Sequence, residues 1–207
     1  MFTGIIRGRF PVVSIEKKQG LHTFTINLNT TLVEGLTLGA SVSVSGVCLT
    51  VTKIDETKVY FDAMQETLDK TTLGKVSMSD VVNIERSFSV GDEVGGHIVS
   101  GHVYGMAEII NIEKSEHNCV VTFKCPPFWM KYILDKGFVG LDGCSLTIVD
   151  PDSDAGTFKV WFIPETLSLT TFGTKGVGDF VNLELDSKTQ TIVETVERVL
   201  VEKGALS

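Results

Sequence analysis

Cys48, His97, His102, Lys136 and Ser145 are the side chains in this sequence whose types and spacing could do chemistry. An imidazole titrates near working pH, so His97 or His102 could take up and return a proton. A thiol such as Cys48 is a strong nucleophile once a neighbour lowers its pKa, and a poor one otherwise. Each of these residues also has a plainer reading. Cys48, beside Leu49-Thr50-Val51, suits a small buried hydrophobe. His97 and His102 flank Ser100-Gly101 and could be polar contacts at a turn, and Lys136 could be a solvated loop lysine. The other cysteines, Cys119, Cys125 and Cys144, form no CxxC pair, and His22, His97, His102 and His117 show no ligand spacing. A metal centre is therefore not expected.

The elements that must position these groups occur twice. At an offset of 97 residues, Thr3-Gly4 falls on Ser100-Gly101, Gly46 on Gly143, Leu49-Thr50 on Leu146-Thr147 and Val51 on Ile148. A two-residue insertion near Pro151–Gly156 moves the offset to 99, where Glu66-Thr67-Leu68 meets Glu165-Thr166-Leu167 and Thr71-Thr72 meets Thr170-Thr171. Val82-Asn83-Ile84-Glu85 then meets Val181-Asn182-Leu183-Glu184. Ordered, collinear matches over most of each half indicate a duplicated small domain, too long for one solenoid unit. The copies differ where chemistry could sit: Cys48 corresponds to Ser145, Ile5 to His102 and Gly39 to Lys136, while His97 has no counterpart. The thiol thus belongs to the first half and the His/Lys set to the second, which predicts two similar pockets with unlike side chains.

Within each half the pattern is β. Ala40–Val44, Lys58–Asp62, Val120–Lys124 and Thr157–Phe162 alternate or are rich in β-branched and aromatic residues, with glycines punctuating them as turns. Short strands with such turns predict a compact antiparallel barrel that leaves few edges bare. From about Ser187, Ile192, Val193, Val196, Val199 and Leu200 recur at helical spacing, which predicts one amphipathic helix. The expected organisation is a barrel over 1–97, a second over 98–186 and a terminal oligomerisation helix over 187–207.

A net charge of -8 over 207 residues argues against nucleic acid or an anionic membrane as partner. No apolar run approaches the ~20 residues that span a bilayer, and no basic flank precedes a long apolar stretch at the N-terminus. Unpaired cysteines and the lack of a leader pattern point to the cytoplasm.

Seven motifs, in order along the chain, resemble the riboflavin synthase family. They are Met1-Phe2-Thr3-Gly4-Ile5-Ile6, Gly46-Val47-Cys48-Leu49-Thr50-Val51, Met64-Gln65-Glu66-Thr67-Leu68, the run Gly95 to Val103, Asp142-Gly143-Cys144-Ser145-Leu146-Thr147, Ile163-Pro164-Glu165-Thr166-Leu167, and Val181-Asn182-Leu183-Glu184. The resemblance implies an all-β fold of two tandem six-stranded antiparallel Greek-key barrels followed by a C-terminal α-helix that holds a homotrimer together. It implies no cofactor and two lumazines per site, lying between the first barrel of one subunit and the second of its neighbour, with lumazine synthase as a candidate protein partner. The implied reaction is the dismutation of two 6,7-dimethyl-8-ribityllumazine molecules into riboflavin and 5-amino-6-(D-ribitylamino)uracil. A non-catalytic lumazine- or flavin-binding antenna is the alternative within the same fold.

By the same resemblance His102, His97, Cys48, Lys136 and Ser145 are the catalytic candidates: His102 for proton transfer, His97 to assist, Cys48 as nucleophile or pocket wall, and Lys136 and Ser145 toward the second substrate. Substrate binding is implied for Gly4, Ile5 and Ile6; for Cys48, Leu49 and Thr50; and for Asp62, Ala63, Met64, Gln65, Glu66 and Thr67. It is implied also for Gly101, His102 and Val103; for Lys136, Ser145, Leu146 and Thr147; and for Ile163, Pro164, Glu165, Thr166, Leu167 and Ser168. Strand N–H and C=O groups in these stretches could match the alternating donors and acceptors of an imide edge. Ser45, Val47 and Tyr104 stand where the family more often has Asn, Cys and an acidic residue.

Overall fold

A computed structural model of the chain describes residues 1–116 and 118–205. His117 and the last two residues of the expected terminal segment lie outside the described residues. The first repeat folds into β1 (Gly8–Lys18), β2 (Leu21–Asn27), β3 (Ser41–Val44), β4 (Val47–Asp55), β5 (Lys58–Met64) and β6 (Val81–Arg86), with short helices α1 (Thr30–Val33) and α2 (Gln65–Lys70). These strands close on themselves in the order β1-β2-β5-β4-β3-β6, all pairs antiparallel. Alternation makes the barrel: along β5 Val59, Phe61 and Ala63 point inward, each at most 1 % exposed, to meet Phe24, Ile26, Val42 and Ile84.

The second repeat supplies β7 (Gly105–Lys114), β8 (Cys119–Lys124), β9 (Phe138–Leu141), β10 (Cys144–Thr147), β11 (Val149–Asp152), β12 (Thr157–Phe162), α3 (Pro164–Leu169) and β13 (Phe180–Leu185). Here one of the six expected strands is broken in two, so the sheet runs in seven pieces, in the order β10-β9-β13-β7-β8-β12-β11. Its two ends, β10 and β11, are the halves of the strand that β4 forms unbroken in the first repeat. The break falls at Ile148, and just beyond it the β11–β12 register shifts between Val149 and Asp152, where Asp150 sits in the left-handed region (φ 47) and Pro151 has no N–H to offer a ladder. The result is a curled, open relative of the first barrel around Phe123, Phe158, Leu141 and Leu183.

The repeated Glu-Thr-Leu and Thr-Thr motifs are turn chemistry. Thr71 and Thr170 end α2 and α3 with hydroxyls bonded to the carbonyls of Thr67 (2.7 Å) and Thr166 (2.6 Å), and both then accept the N–H two residues on. The repeated Asn joins the barrels. Asn83 donates to the Asp142 carbonyl and accepts from the Thr171 N–H, while Asn182 donates to the Ser45 carbonyl and accepts from the Thr72 N–H. Between them Gly46 and Gly143 stand back to back: a Cβ on Gly46 would lie 2.6 Å from the Gly143 nitrogen.

The lead-in segments of the two repeats cross over. Phe2 and Val99 pair through N–H to carbonyl bonds of 2.8 and 3.0 Å, and each segment then runs to the opposite barrel. Ile6 is consequently buried in the second barrel's core, and Val103 packs against the first.

The terminal helix α4 (Ser187–Glu202) starts at Asp186, whose carboxylate accepts the Thr189 N–H. Val193 packs on the second barrel, while Tyr104, Lys131 and Tyr132 reach Gln190, Glu197 and Glu194 from the barrel side. Ile192, Val196 and Val199 remain exposed on another face. Among the described residues no helix is long and apolar enough to cross a membrane.

Candidate functional site

The crossover decides which candidate residues come together. Gly101, from the start of the second repeat, accepts the Cys48 N–H at 2.9 Å, and by the equivalent bond Gly4 accepts the Ser145 N–H at 2.9 Å. Each pocket is thus a barrel strand from one repeat walled by the lead-in of the other.

On the first barrel the result is a cavity of about 290 Å³ lined by Val47, Cys48, Glu66, Thr67, Lys70, Thr71, Gly101, His102 and Val103. His102 stands exposed at its rim, its N–H donated to the Ser100 hydroxyl at 3.2 Å. This corrects the division expected from the sequence. His102 lies in the second half of the chain but serves the first-half pocket, together with the thiol. The Glu66 carboxylate pairs with Lys70 at 2.7 Å, which holds it below the usual carboxylate range.

The sulfurs divide cleanly. Burial pushes Cys119 up, Cys125 up to about 11 and Cys144 well above the usual thiol range, so all three stay neutral in the core. Among the four cysteines Cys48 alone is half-buried, and it borders the cavity that His102 also lines.

On the second barrel Ser145 and His97 form a dyad. Ser145 Oγ accepts the His97 backbone N–H at 2.9 Å and lies 2.6 Å from His97 Nδ1. The ring stacks on Phe138, centroids 5.2 Å apart and planes at 19°. Desolvation holds the imidazole below its ordinary pKa, against the pull of the Asp186 carboxylate at the head of α4. A neutral ring whose Nδ1 takes the serine proton keeps its hydrogen on Nε2, which is buried and has no hydrogen-bond partner among the described residues. Gly95-Gly96 allow this approach: a Cβ on Gly96 would sit 2.5 Å from the Ser145 Cβ. The first-barrel pocket is open, whereas Gly96 and His97 of the linker cover Ser145 on the second barrel.

Other candidates fall around these two groups. Thr50 and Thr147 are exposed on β4 and β10, and Ile5 is exposed beside Gly4 at the position equivalent to His102. Leu49, Ala63 and Ile6 point into cores, so only their backbone could meet a ligand. Asp62 accepts from the Thr23 hydroxyl at 2.6 Å. Met64 and Gln65 are exposed, as are Ile163, Pro164, Glu165 and Ser168; Leu146, Thr166 and Leu167 are half-buried. Lys136 is exposed on the turn before β9 at φ 63, its N–H bonded to the Ile148 carbonyl, and does not line the Cys48 cavity. A larger cavity of about 400 Å³ on the seam between the barrels, lined by Lys75, Asp142, Thr171 and Lys175 among others, contains none of the candidate catalytic groups.

The sequence reading did not assign Glu85 and Glu184 a role, although both stood out as repeat matches. Both are buried carboxylates gripping the crossing segments.

Comparison with known proteins shows the same duplication and fold. The lumazine binding domain family matches the chain twice, over residues 3–87 and 100–186. The riboflavin synthase of Escherichia coli (strain K12) is 47 % identical over 201 residues, covering 97 % of this chain and 93 % of that one. The riboflavin synthase of Chlamydia pneumoniae is 43 % identical over 204 residues, 99 % of each chain. Among solved structures, LumP complexed with riboflavin superimposes with a TM-score of 0.83 at 27 % identity, over 90 % of this chain and 100 % of that one. LumP complexed with 6,7-dimethyl-8-(1'-D-ribityl) lumazine gives 0.81 at 26 % over the same shares.

Proposed function

The chain belongs to the riboflavin synthase family of lumazine-binding-domain proteins, and from that premise we propose how its two pockets share one reaction. It is an enzyme of the riboflavin synthase type. Two molecules of 6,7-dimethyl-8-ribityllumazine enter; one gives a four-carbon unit to the other, leaving riboflavin and 5-amino-6-(D-ribitylamino)uracil.

The observation that carries the division of labour is the pairing of unlike side chains on like backbones, Cys48 with His102 on one barrel and Ser145 with His97 on the other. One lumazine must lose a proton from its 7-methyl group, which is acidic because the ring delocalises the anion. His102, at the rim of the open pocket, takes that proton and returns it later. Cys48, half-buried on the cavity wall, lies beside the ring as nucleophile or as part of that wall. The other lumazine must accept a nucleophile at its electrophilic ring carbon. Ser145, 2.6 Å from His97 Nδ1, supplies the oxygen itself or orients a water there, with the neutral Nε2–H tautomer of His97 as the base. Thr50, Thr67, Thr147 and Thr166 meet ring or ribityl hydroxyls, and Lys136 reaches the second substrate.

The ring carbons of two substrates must meet. By resemblance to the family, the reacting pair lies between the first barrel of one subunit and the second of its neighbour, in a homotrimer held by α4. The exposed stripe Ile192, Val196 and Val199 supports that assembly. The proposed compartment is the cytoplasm, supported by free thiols at Cys48, Cys119, Cys125 and Cys144.

Subunit mixing tests this reading. His102→Ala and Ser145→Ala chains, each inactive alone, should regain activity when dissociated and reassembled together, because some interfaces then hold two intact pockets. Mixtures as inactive as the parents would show that both groups act within one chain.

A further inference from the structure

Glu85 and Glu184 take no step in the reaction above, yet each is tied to the chemistry by a short relay. Glu184, in β13 of the second barrel, accepts the Ser100 N–H (2.6 Å) and hydroxyl (2.7 Å) on one oxygen and the Gly101 N–H (2.9 Å) on the other. Gly101 in turn accepts the Cys48 N–H, and the Ser100 hydroxyl accepts the His102 N–H at 3.2 Å. A single carboxylate of the second barrel thereby fixes both functional residues of the first-barrel pocket.

Glu85, in β6 of the first barrel, does the same in the other direction. It accepts the Thr3 N–H (2.6 Å), the Thr3 hydroxyl (2.7 Å) and the Gly4 N–H (3.1 Å). Gly4 then accepts the Ser145 N–H at 2.9 Å, and the Thr3 hydroxyl accepts the Ile5 N–H at 3.3 Å. Both relays lack slack. A Cβ on Gly101 would lie 2.5 Å from the Cys48 Cβ and one on Gly4 2.4 Å from the Ser145 Cβ, so a tilt of either segment must move the residue it touches. Burial alone pushes both carboxyls up, and the three donors around each pull back toward the charged acceptor.

We propose that Glu184 and Glu85 are positioning residues of the reaction, each anchored in one barrel and setting the geometry of the pocket on the other. The proposal rests on the assignment of the two pockets given above.

The test uses the full chain with E184Q, E184D, E85Q and S100A. Glutamine keeps the volume but turns an amide N–H toward a donor, which opens one clamp. Two readouts are taken: kcat and KM with 6,7-dimethyl-8-ribityllumazine, and the iodoacetamide alkylation rate of Cys48, followed by peptide mass. E184Q should lower kcat about tenfold or more with a smaller change in KM, and should change Cys48 alkylation several-fold. E184D should recover part of kcat. E85Q should lower kcat similarly while Cys48 alkylates at the wild-type rate. S100A, which keeps the backbone clamp and loses only the hydroxyl relay to His102, should lower kcat a few-fold.

Wild-type kcat and alkylation in E184Q would overturn the proposal. So would equal changes of Cys48 alkylation in E184Q and E85Q, which would make both carboxylates general clamps of the fold. If E184Q does not fold, S100A decides: wild-type kcat in S100A overturns the relay. A wild-type protein that forms no riboflavin would instead sink the assignment of the reaction, and the alkylation contrast between E184Q and E85Q would still decide which pocket each carboxylate controls.

Discussion

Cys48 donates its backbone N–H to the carbonyl of Gly101 at 2.9 Å, so one wall of the first-barrel pocket is chain from the second repeat. Gly101 has φ +83, and any side chain there would collide with Cys48. Gly101→Ala should cost about 2 kcal/mol or more of stability and lower riboflavin formation at least about tenfold. Gly39→Ala is the control. It has nearly the same φ (+82) but nothing within 4 Å, and its counterpart in the second repeat is Lys136, a non-glycine at φ 63. That change should cost about 1 kcal/mol and leave turnover unaltered. Urea unfolding and initial rates check both.

Replacing the two histidines should give different kinetic signatures. His102→Ala removes the proposed proton carrier and should lower kcat about a hundredfold with lumazine still bound. His97→Ala removes the base beside Ser145 and the ring stacked on Phe138, so kcat and lumazine affinity should both fall. Steady-state rates together with lumazine fluorescence titration separate the two.

His97 also makes stability depend on pH. Its folded pKa lies below the ordinary 6.5 because the ring is buried, so native protein binds this proton less readily than unfolded chain. The contribution is complete above pH 6.5 and is lost as pH falls through the folded value. Glu85 and Glu184, raised by burial, act with the opposite sign: their contribution is present below the usual 4.5 and lost as pH rises through their folded values. Both carboxylates remain in His97→Asn, so they cancel in the comparison. Melting curves should show wild type losing more stability than His97→Asn between pH 7.5 and pH 5.

The face of α4 away from its barrel offers Ile192, Val196 and Val199, at 64, 51 and 38 % exposure. Val196→Glu should leave the fold intact, since the residue is exposed within one chain, and should dissociate the proposed trimer to monomers. Light scattering would read the mass, and synthase activity should fall with it because each reacting pair then lacks a neighbour.

The duplication, the strand pattern of β5, β8 and β12 and the amphipathic α4 were legible because period-2 and period-3.6 patterns are local properties of sequence. The split of the fourth strand in the second repeat was not. It falls at Ile148, beside a register shift where Asp150 adopts a left-handed backbone, and aspartate at that position does not announce its φ. The pairing of His102 with Cys48 was also hidden, because the sequence orders His102 with the second repeat while the crossing of Phe2 and Val99 sends it to the first barrel. One sign of the crossover was present in the repeated Asn-Ile/Leu-Glu motif. Asn83, Glu85, Asn182 and Glu184 are polar residues in otherwise apolar strands, which a single self-contained barrel would have no reason to bury.

The most direct test of two unequal pockets serving one dismutation is the stoichiometry of turnover. Purified protein is given 6,7-dimethyl-8-ribityllumazine alone, with no added cofactor, and both products are measured. The account requires one riboflavin and one 5-amino-6-(D-ribitylamino)uracil for every two lumazines consumed. Tight binding of lumazine without either product would contradict it, and would make the chain a lumazine carrier in which the Cys48, His97, His102 and Ser145 pairings have no catalytic part.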